Sequence, residues 1–126
     1  MVQVVLVTGA SSGIGKSIAT HLHSLGYRIY GTSRSPKKYT QNFPFPLLEL
    51  DVTKPESIAQ FISEINKKEA GVDVLINNAG IGIMGPLEET SIKALRNNFE
   101  TNFFGPLAMV QQVLPLMRKR KKGTII

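Results

Sequence analysis

The sequence predicts an α/β fold: a doubly wound parallel sheet in the strand order 3-2-1-4-5, built as a single domain over residues 1–126 and truncated at its fifth strand. Three observations carry this expectation. Apolar runs without polar alternation, such as "VQVVLVT" at Val2 to Thr8, suit strands buried on both faces of a parallel sheet. Segments with apolar residues at helical spacing lie between those runs, and this alternation implies right-handed crossovers. A glycine-rich stretch, "TGASSGIG" at Thr8 to Gly15, follows the first strand, at the end of the sheet where such folds bind ligands.

The elements follow in order. After the glycines, Ile14, Ile18, Leu22 and Leu25 recur at helical spacing, with Ser11 or Ser12 as N-cap and Gly26 as terminator. "YRIYGTS" at Tyr27 to Ser33 reads as the second strand. "SPKKYTQNFPFP", residues 35–46, carries three prolines and little periodicity, so it reads as loop. "LLELD" is the third strand. "TKPE" at Thr53 to Glu56 has the spacing of a capping box, opening a helix that buries Ile58, Phe61, Ile62 and Ile65. "VDVLIN" is the fourth strand and a Gly-rich loop from Ala79 to Pro86 follows it. Helical stretches holding Leu95, Phe99, Phe103, Val110, Leu114 and Met117 lead to "GTII". No internal repeat at a fixed period is present.

Composition narrows the function classes. A chain of 126 residues with 42% hydrophobic content can bury one core. The absence of cysteine excludes a disulfide framework and a thiolate metal site, and fits a reducing compartment. The opening apolar run is too short to span a bilayer and lacks the flanks of a signal peptide, so a cytoplasmic location without a membrane partner is expected. His21 and His23 stand two apart on the first helix, off a common face, and make a poor metal pair.

The formal charge of +6 is unevenly spread. No Asp or Glu occurs from Met1 to Leu48, a stretch that holds Lys16, Arg28, Arg34, Lys37 and Lys38. Such a bias marks either a nucleic-acid surface or a pocket for a multiply phosphorylated small molecule. The second basic cluster, "RKRKK" at Arg118 to Lys122, reads as cations complementing the negative end of a helix, with Gly123 as terminator. No aromatic residue is interleaved to stack on bases, so no nucleic-acid partner is expected.

The glycine run has a physical reading of its own. Gly9 supplies a tight turn, Gly13 lets a ligand approach bare backbone, and Gly15 lets helix and strand pack closely. Together with Ser11, Ser12 and Ile14 they leave N–H groups at a helix N-terminus facing the crevice, which favours an anionic diphosphate. The spacing G-x-x-x-G-x-G departs from the usual G-x-G-x-x-G dinucleotide pattern.

Four motifs in order, "TGASSGIG", "LDV" at Leu50 to Val52, "NNAG" at Asn77 to Gly80 and the Asn102 of "FETNFFG", resemble the short-chain dehydrogenase/reductase family, whose fold is Rossmann-like. The resemblance implies that Asp51 hydrogen-bonds the adenine amine and that Val52 adds a backbone N–H. It implies that "NNAG" stabilises the central sheet, with the Ala79–Gly80 backbone beside the cofactor ribose and Asn78 among the cofactor-binding residues. Asn102 would help hold an ordered water of the proton relay. "NAGIGIMGPLEE" is similar to stretches in the steroid and retinol dehydrogenase branch. The family's Tyr and Lys, spaced Y-x-x-x-K, have no counterpart here: Tyr27, Tyr30 and Tyr39 are followed four residues on by Gly31, Arg34 and Phe43. The resemblance therefore covers an amino-terminal cofactor-binding portion, with Asn102 alone of the family's catalytic four.

An NAD site commonly places an acidic residue about 20 residues past the glycines for the ribose hydroxyls. None is available here. "GTSRS" instead offers Arg34 for a charge-assisted phosphate contact, with Thr32 or Ser33 as neutral donors. NADP(H) is the expected cofactor, the competing reading being that Arg34 and Lys37 are solvated loop charges. For Lys16, exposure and phosphate contact both stand.

The expected function is the NADP(H)-binding part of an oxidoreductase acting on a small carbonyl or alcohol substrate, inactive as this segment alone. The chain is expected to belong to a longer protein or to associate, with a homo-oligomer through the helix from Asn102 to Met117. The alternatives are a dinucleotide-binding module without chemistry and a basic nucleic-acid binder.

Overall fold

The computed structural model describes residues 1–39 and 42–126. Strands β1 (Val4–Val7), β2 (Arg28–Ser33), β3 (Leu47–Glu49), β4 (Val74–Ile76) and β5 (Thr124–Ile125) form one sheet in the order β3-β2-β1-β4-β5, each pair parallel. This is the expected doubly wound topology. Val7 stands opposite Gly31 on one side and Ile76 on the other, so β1 and β4 finish level while β2 runs on through Thr32 and Ser33 beside β3. The chain reverses its direction across the sheet between β1 and β4, and a crevice opens there.

Alternation along β1 sorts the core into two layers. Val4 and Leu6 pack with Ile58, Phe61, Ile65, Met109, Val113 and Met117, contributed by α2 (Pro55–Lys68) and α4 (Gly105–Arg120). Val5 and Val7 turn to the opposite face, against Ala19, Ile18 and Leu22 of α1 (Gly13–Ser24). The four residues of β1 are all buried, as a continuous apolar run requires. Gly26 closes α1 as expected: its N–H donates to the His23 carbonyl at 2.9 Å, and the Tyr27 N–H to the Leu22 carbonyl at 3.2 Å.

The β2–β3 crossover carries no long helix among the described residues. A single 3₁₀ turn, Pro36–Lys38, interrupts the expected loop, in which Thr40 and Gln41 lie outside the described residues. Phe43 and Phe45, with ring centroids 5.5 Å apart, cover the sheet there. Gly31 leaves the room: a Cβ at that position would sit 2.6 Å from the Phe45 ring.

Several local expectations are corrected. The capping box at Thr53 does not form, because Lys54 occupies the N-cap position of α2 without a side-chain cap bond, and Pro55 is already inside the first turn. The Thr53 hydroxyl and amide both donate to Asp51 Oδ1 instead, at 2.7 and 3.0 Å. Gly123 does not end the last helix. Lys121 takes the left-handed position, with φ 52°, and Gly123 lies so close to Met117 that a Cβ would overlap its side chain. Ile14 and Leu25 share the helical period of α1 but point to solvent, 74% and 61% exposed.

The cluster at Arg118 to Lys122 is more than a solvated helix end. Arg120 and Lys122 both pair with Asp73, the latter at 3.2 Å, and Asp73 Oδ2 accepts the Val4 amide at 2.8 Å. Burial alone would push the Asp73 carboxyl up. The Val4 amide and the two cations outweigh that and hold it below the ordinary carboxylate range.

The helical stretch after the Gly-rich loop is one rod in three parts. α3 (Ile92–Phe99) runs into a π-helical turn, Glu100–Phe104, and then into α4. Phe99, Phe103, Phe104 and Leu107 lie exposed along it.

Candidate functional site

A cleft of about 380 Å³ lies at the carboxyl ends of the strands, its walls supplied by the segments that leave β1, β2, β3 and β4. The first wall is Gly9, Ser11, Ser12 and Ile14. Gly9 turns with φ 65°, and a Cβ on it would approach the Ala79 Cα to 2.9 Å, so both the turn and its neighbour demand glycine. Ser12 caps α1 in extended conformation without spending its hydroxyl on a cap bond, and no acidic residue stands in the first turn. The positive end of the helix dipole thus meets the cleft uncompensated by a carboxylate on α1.

Gly13 and Gly15 do not line this cleft. Gly13 has φ 55° with open space around its Cβ position, and faces a shallow hollow on the outer side of α1 shared with Lys16 and Ser17. Gly15 is buried where a Cβ would collide with the Gly9 carbonyl and the Asn78 amide, the close packing its place in the motif suggested. The Lys16 ammonium lies 5.3 Å from the centroid of the Phe43 ring.

Thr32, Ser33, Arg34 and Tyr39 form the second wall. Thr32 and Ser33 are buried at the end of β2, and the Ser33 hydroxyl accepts the Ser35 amide at 3.2 Å. Arg34 is exposed. The third wall is Leu50, Asp51, Val52 and Thr53. Burial raises the Asp51 carboxyl, but the two hydrogen bonds from Thr53, with Lys54 and Arg34 nearby, more than reverse this and keep it ionised below the ordinary range. Val52 is fixed from behind by α4: a Cβ on Gly105 would stand 2.8 Å from its side chain.

Asn78, Ala79, Gly80, Ile81 and Thr101 form the fourth wall. Its organiser is Thr8, a buried hydroxyl that accepts the amides of Asn78 and Ala79, each at 3.0 Å. Asn78 Nδ2 returns the contact, donating to the Thr8 and Gly9 carbonyls at 3.0 and 3.1 Å. Asn77 extends the sheet, its amide donating to the Ile126 carbonyl at 2.8 Å.

Asn102 stands one step back from the lining residues. Its Oδ1 accepts the Ile81 amide at 2.8 Å while Nδ2 donates to the Ile81 carbonyl at 2.7 Å, a two-point clamp on the fourth wall. Asn98, one helical turn earlier, donates to the same carbonyl at 3.0 Å. The clamp sits in the π turn, and Pro106, four residues past Asn102, has no N–H to give the Asn102 carbonyl its α-helical partner.

The structure thus gathers Gly9, Ser11, Ser12, Ile14, Ser33, Arg34, Asp51, Val52, Asn78, Ala79 and Gly80 around one cleft. Sequence reasoning missed Thr8 as a hub, Tyr39, Thr53 and the clamp of Asn98. D-x-T at Asp51 to Thr53 is an Asx-turn pattern and was legible; the long-range contacts of Thr8 had no local signal, and neither had the place of Tyr39 in the cleft.

Comparison with known proteins places this arrangement. The chain is 44% identical over 124 residues to a 3-ketodihydrosphingosine reductase of Bacteroides thetaiotaomicron, covering 98% of this chain and 45% of the relative. It is 41% identical over 136 residues to retinol dehydrogenase 8 of Bos taurus, covering 98% of this chain and 43% of that protein. A metagenomic short-chain oxidoreductase solved in complex with NADP superposes with a TM-score of 0.88 at 32% identity, over 98% of this chain and 59% of its own. The chain therefore spans less than half the length of the two curated relatives. A family model described as short chain dehydrogenase matches residues 3–126. Fold, cleft and motifs agree with that match, and the chain belongs to the short-chain dehydrogenase family.

Proposed function

We propose that this chain forms the NADP(H) seat of an oxidoreductase that moves a hydride between the nicotinamide and a carbonyl or alcohol carbon of a small molecule. The observation that carries the reading is the charge pattern of the cleft. Arg34 borders it beside two hydroxyl residues, and the one carboxylate among the described lining residues, Asp51, stands on the next wall, where it is tied to Thr53. A 2′-phosphate beside Arg34 gains a charge-assisted contact, whereas a site built for NAD would put a carboxylate there.

The donor set suits the group. Bare amides at the α1 N-terminus favour the diphosphate, and Asp51, held ionised, accepts from an adenine amine while the Val52 amide donates. Ala79 and Gly80 flank the ribose. Asn102 holds the Ile81 segment, and its own carbonyl, without an α-helical donor from Pro106, accepts from a water of the proton relay. The NADP-bound neighbour supports the cofactor, and the two curated relatives are named for a keto compound and for an alcohol. The exposed Phe99, Phe103, Phe104 and Leu107 support self-association through the α3–α4 rod. A cytoplasmic location completes the proposal.

No Y-x-x-x-K pair occurs in these 126 residues, so binding is the measurement. Calorimetric titration is expected to give tighter binding of NADPH than of NADH. Equal affinity for the two would remove the NADP reading, and no heat with either would remove the cofactor altogether.

A further inference from the structure

We propose that Tyr39 is the aromatic wall of the adenine end of the cleft, its ring stacking on the base of a bound adenine dinucleotide. The inference rests on the dinucleotide reading above and adds a recognition residue to it.

Tyr39 is the one aromatic side chain among the described lining residues. It lines the cleft together with Arg34, from which it is separated in sequence by the Pro36–Lys38 turn, and its amide donates to the Pro36 carbonyl at 3.1 Å, fixing where the turn delivers it. The ring is supported from behind. Tyr39 meets Phe43 edge to face, with centroids 6.4 Å apart and planes at 77°. Phe43 in turn packs on Phe45 at 5.5 Å and carries the Lys16 ammonium at 5.3 Å. An edge-to-face contact occupies at most one face of the Tyr39 ring, and the residue is 38% exposed and lines the cleft, which puts it within reach of a ligand there.

The rest of this end of the cleft matches a flat heteroaromatic ring rather than a sugar or a phosphate. Leu50 and Val52 are apolar and buried, and between them Asp51 offers a single ionised acceptor. An apolar slot with one acceptor at its rim holds a purine by its faces and its amine. If Tyr39 served only to pack the loop against Phe43, any bulky apolar side chain would do as well, and this difference makes the proposal testable.

Titrate the full chain with NADPH and with adenosine 2′,5′-bisphosphate, unsubstituted and as Tyr39→Leu and Tyr39→Phe. Loss of one base–aromatic stack in Tyr39→Leu is expected to weaken both ligands by about tenfold, and by the same factor because they share the adenine half. Tyr39→Phe keeps the stack and should stay near native affinity. The chain has no tryptophan, so Tyr39→Trp supplies a lone indole whose emission should be quenched by the bisphosphate. Native affinity in Tyr39→Leu, a larger loss for NADPH than for the bisphosphate, or an unquenched indole would each overturn the assignment while leaving the dinucleotide reading in place. Failure of the unsubstituted chain to bind NADPH or NADH would overturn both. Should Tyr39→Leu not fold, as read by circular dichroism, Tyr39→Phe and the indole decide.

Discussion

Asn78 Nδ2 donates to the Thr8 carbonyl at 3.0 Å, while the Thr8 hydroxyl accepts the Asn78 amide at the same distance, across seventy residues of chain. This reciprocal pair welds the end of β4 to the first turn of the fold. Replacing Thr8 by Val keeps the shape and leaves the amides of Asn78 and Ala79 without their acceptor. Chemical denaturation is expected to show a loss of about 1–3 kcal/mol, the cost of buried donors left unmade. Thr8→Ser should recover most of it.

Arg34 gives the sharpest ligand test. Arg34→Ala is expected to cost NADPH roughly ten- to a hundredfold in affinity, the scale of a hydrogen bond to a charged group, with NADH nearly unchanged. Parallel calorimetric titrations check it, and equal losses for the two cofactors would contradict the assignment of Arg34 to the 2′-phosphate.

The glycines separate space from conformation. Gly15→Ala forces a methyl into the Gly9 carbonyl and the Asn78 amide and should cost about 1–3 kcal/mol through overpacking. Gly13→Ala meets nothing but keeps φ 55°, so a strain of about 1 kcal/mol is expected. Gly82→Ala has open space and no left-handed φ and should be close to neutral. Thermal melts of the three variants should fall in that order.

Asp73 predicts an acid limb. Its carboxyl lies below the ordinary range in the folded chain, so its contribution is complete above the unfolded value, about 4, and is lost as the pH falls through the lower folded value. Asp73→Ala should destabilise at neutral pH and flatten the fall of the melting temperature below about pH 4 relative to the unsubstituted chain. A parallel slope in both would rule out Asp73 as the source.

The Asn102 clamp predicts protection. Asn102→Ala removes the acceptor of the Ile81 amide, whose hydrogen exchange should accelerate at least about tenfold while the amides of β1 stay protected.

Much of this was legible in the sequence, for identifiable reasons. The doubly wound parallel sheet followed from apolar runs alternating with helical periods, and Ile58, Phe61, Ile62 and Ile65 are buried as their spacing demanded. The cleft was legible because glycines, Arg34 and Asp51 stand at the ends of strands, where topology must bring them together. Legibility ended where one local preference competed with another. Thr53 could cap α2 or bond Asp51, and a carboxylate two residues away won. Arg120 and Lys122 read only as cations complementing a helix end because their partner Asp73 lies 47 and 49 positions earlier, just before β4. Tyr39 carried no periodic signal at all, since an irregular crossover places it.

The wide turn at Glu100–Phe104 acts as a phase shifter between two gears. Asn98 just before it and Asn102 within it mesh with Ile81; downstream, Met109, Val113 and Met117 mesh with the sheet. Deleting a single position there would tighten the coil and rotate everything beyond it by about 100°, swinging those core teeth toward water. The rod therefore tolerates exchange of side chains on its outer surface far better than any change in its length.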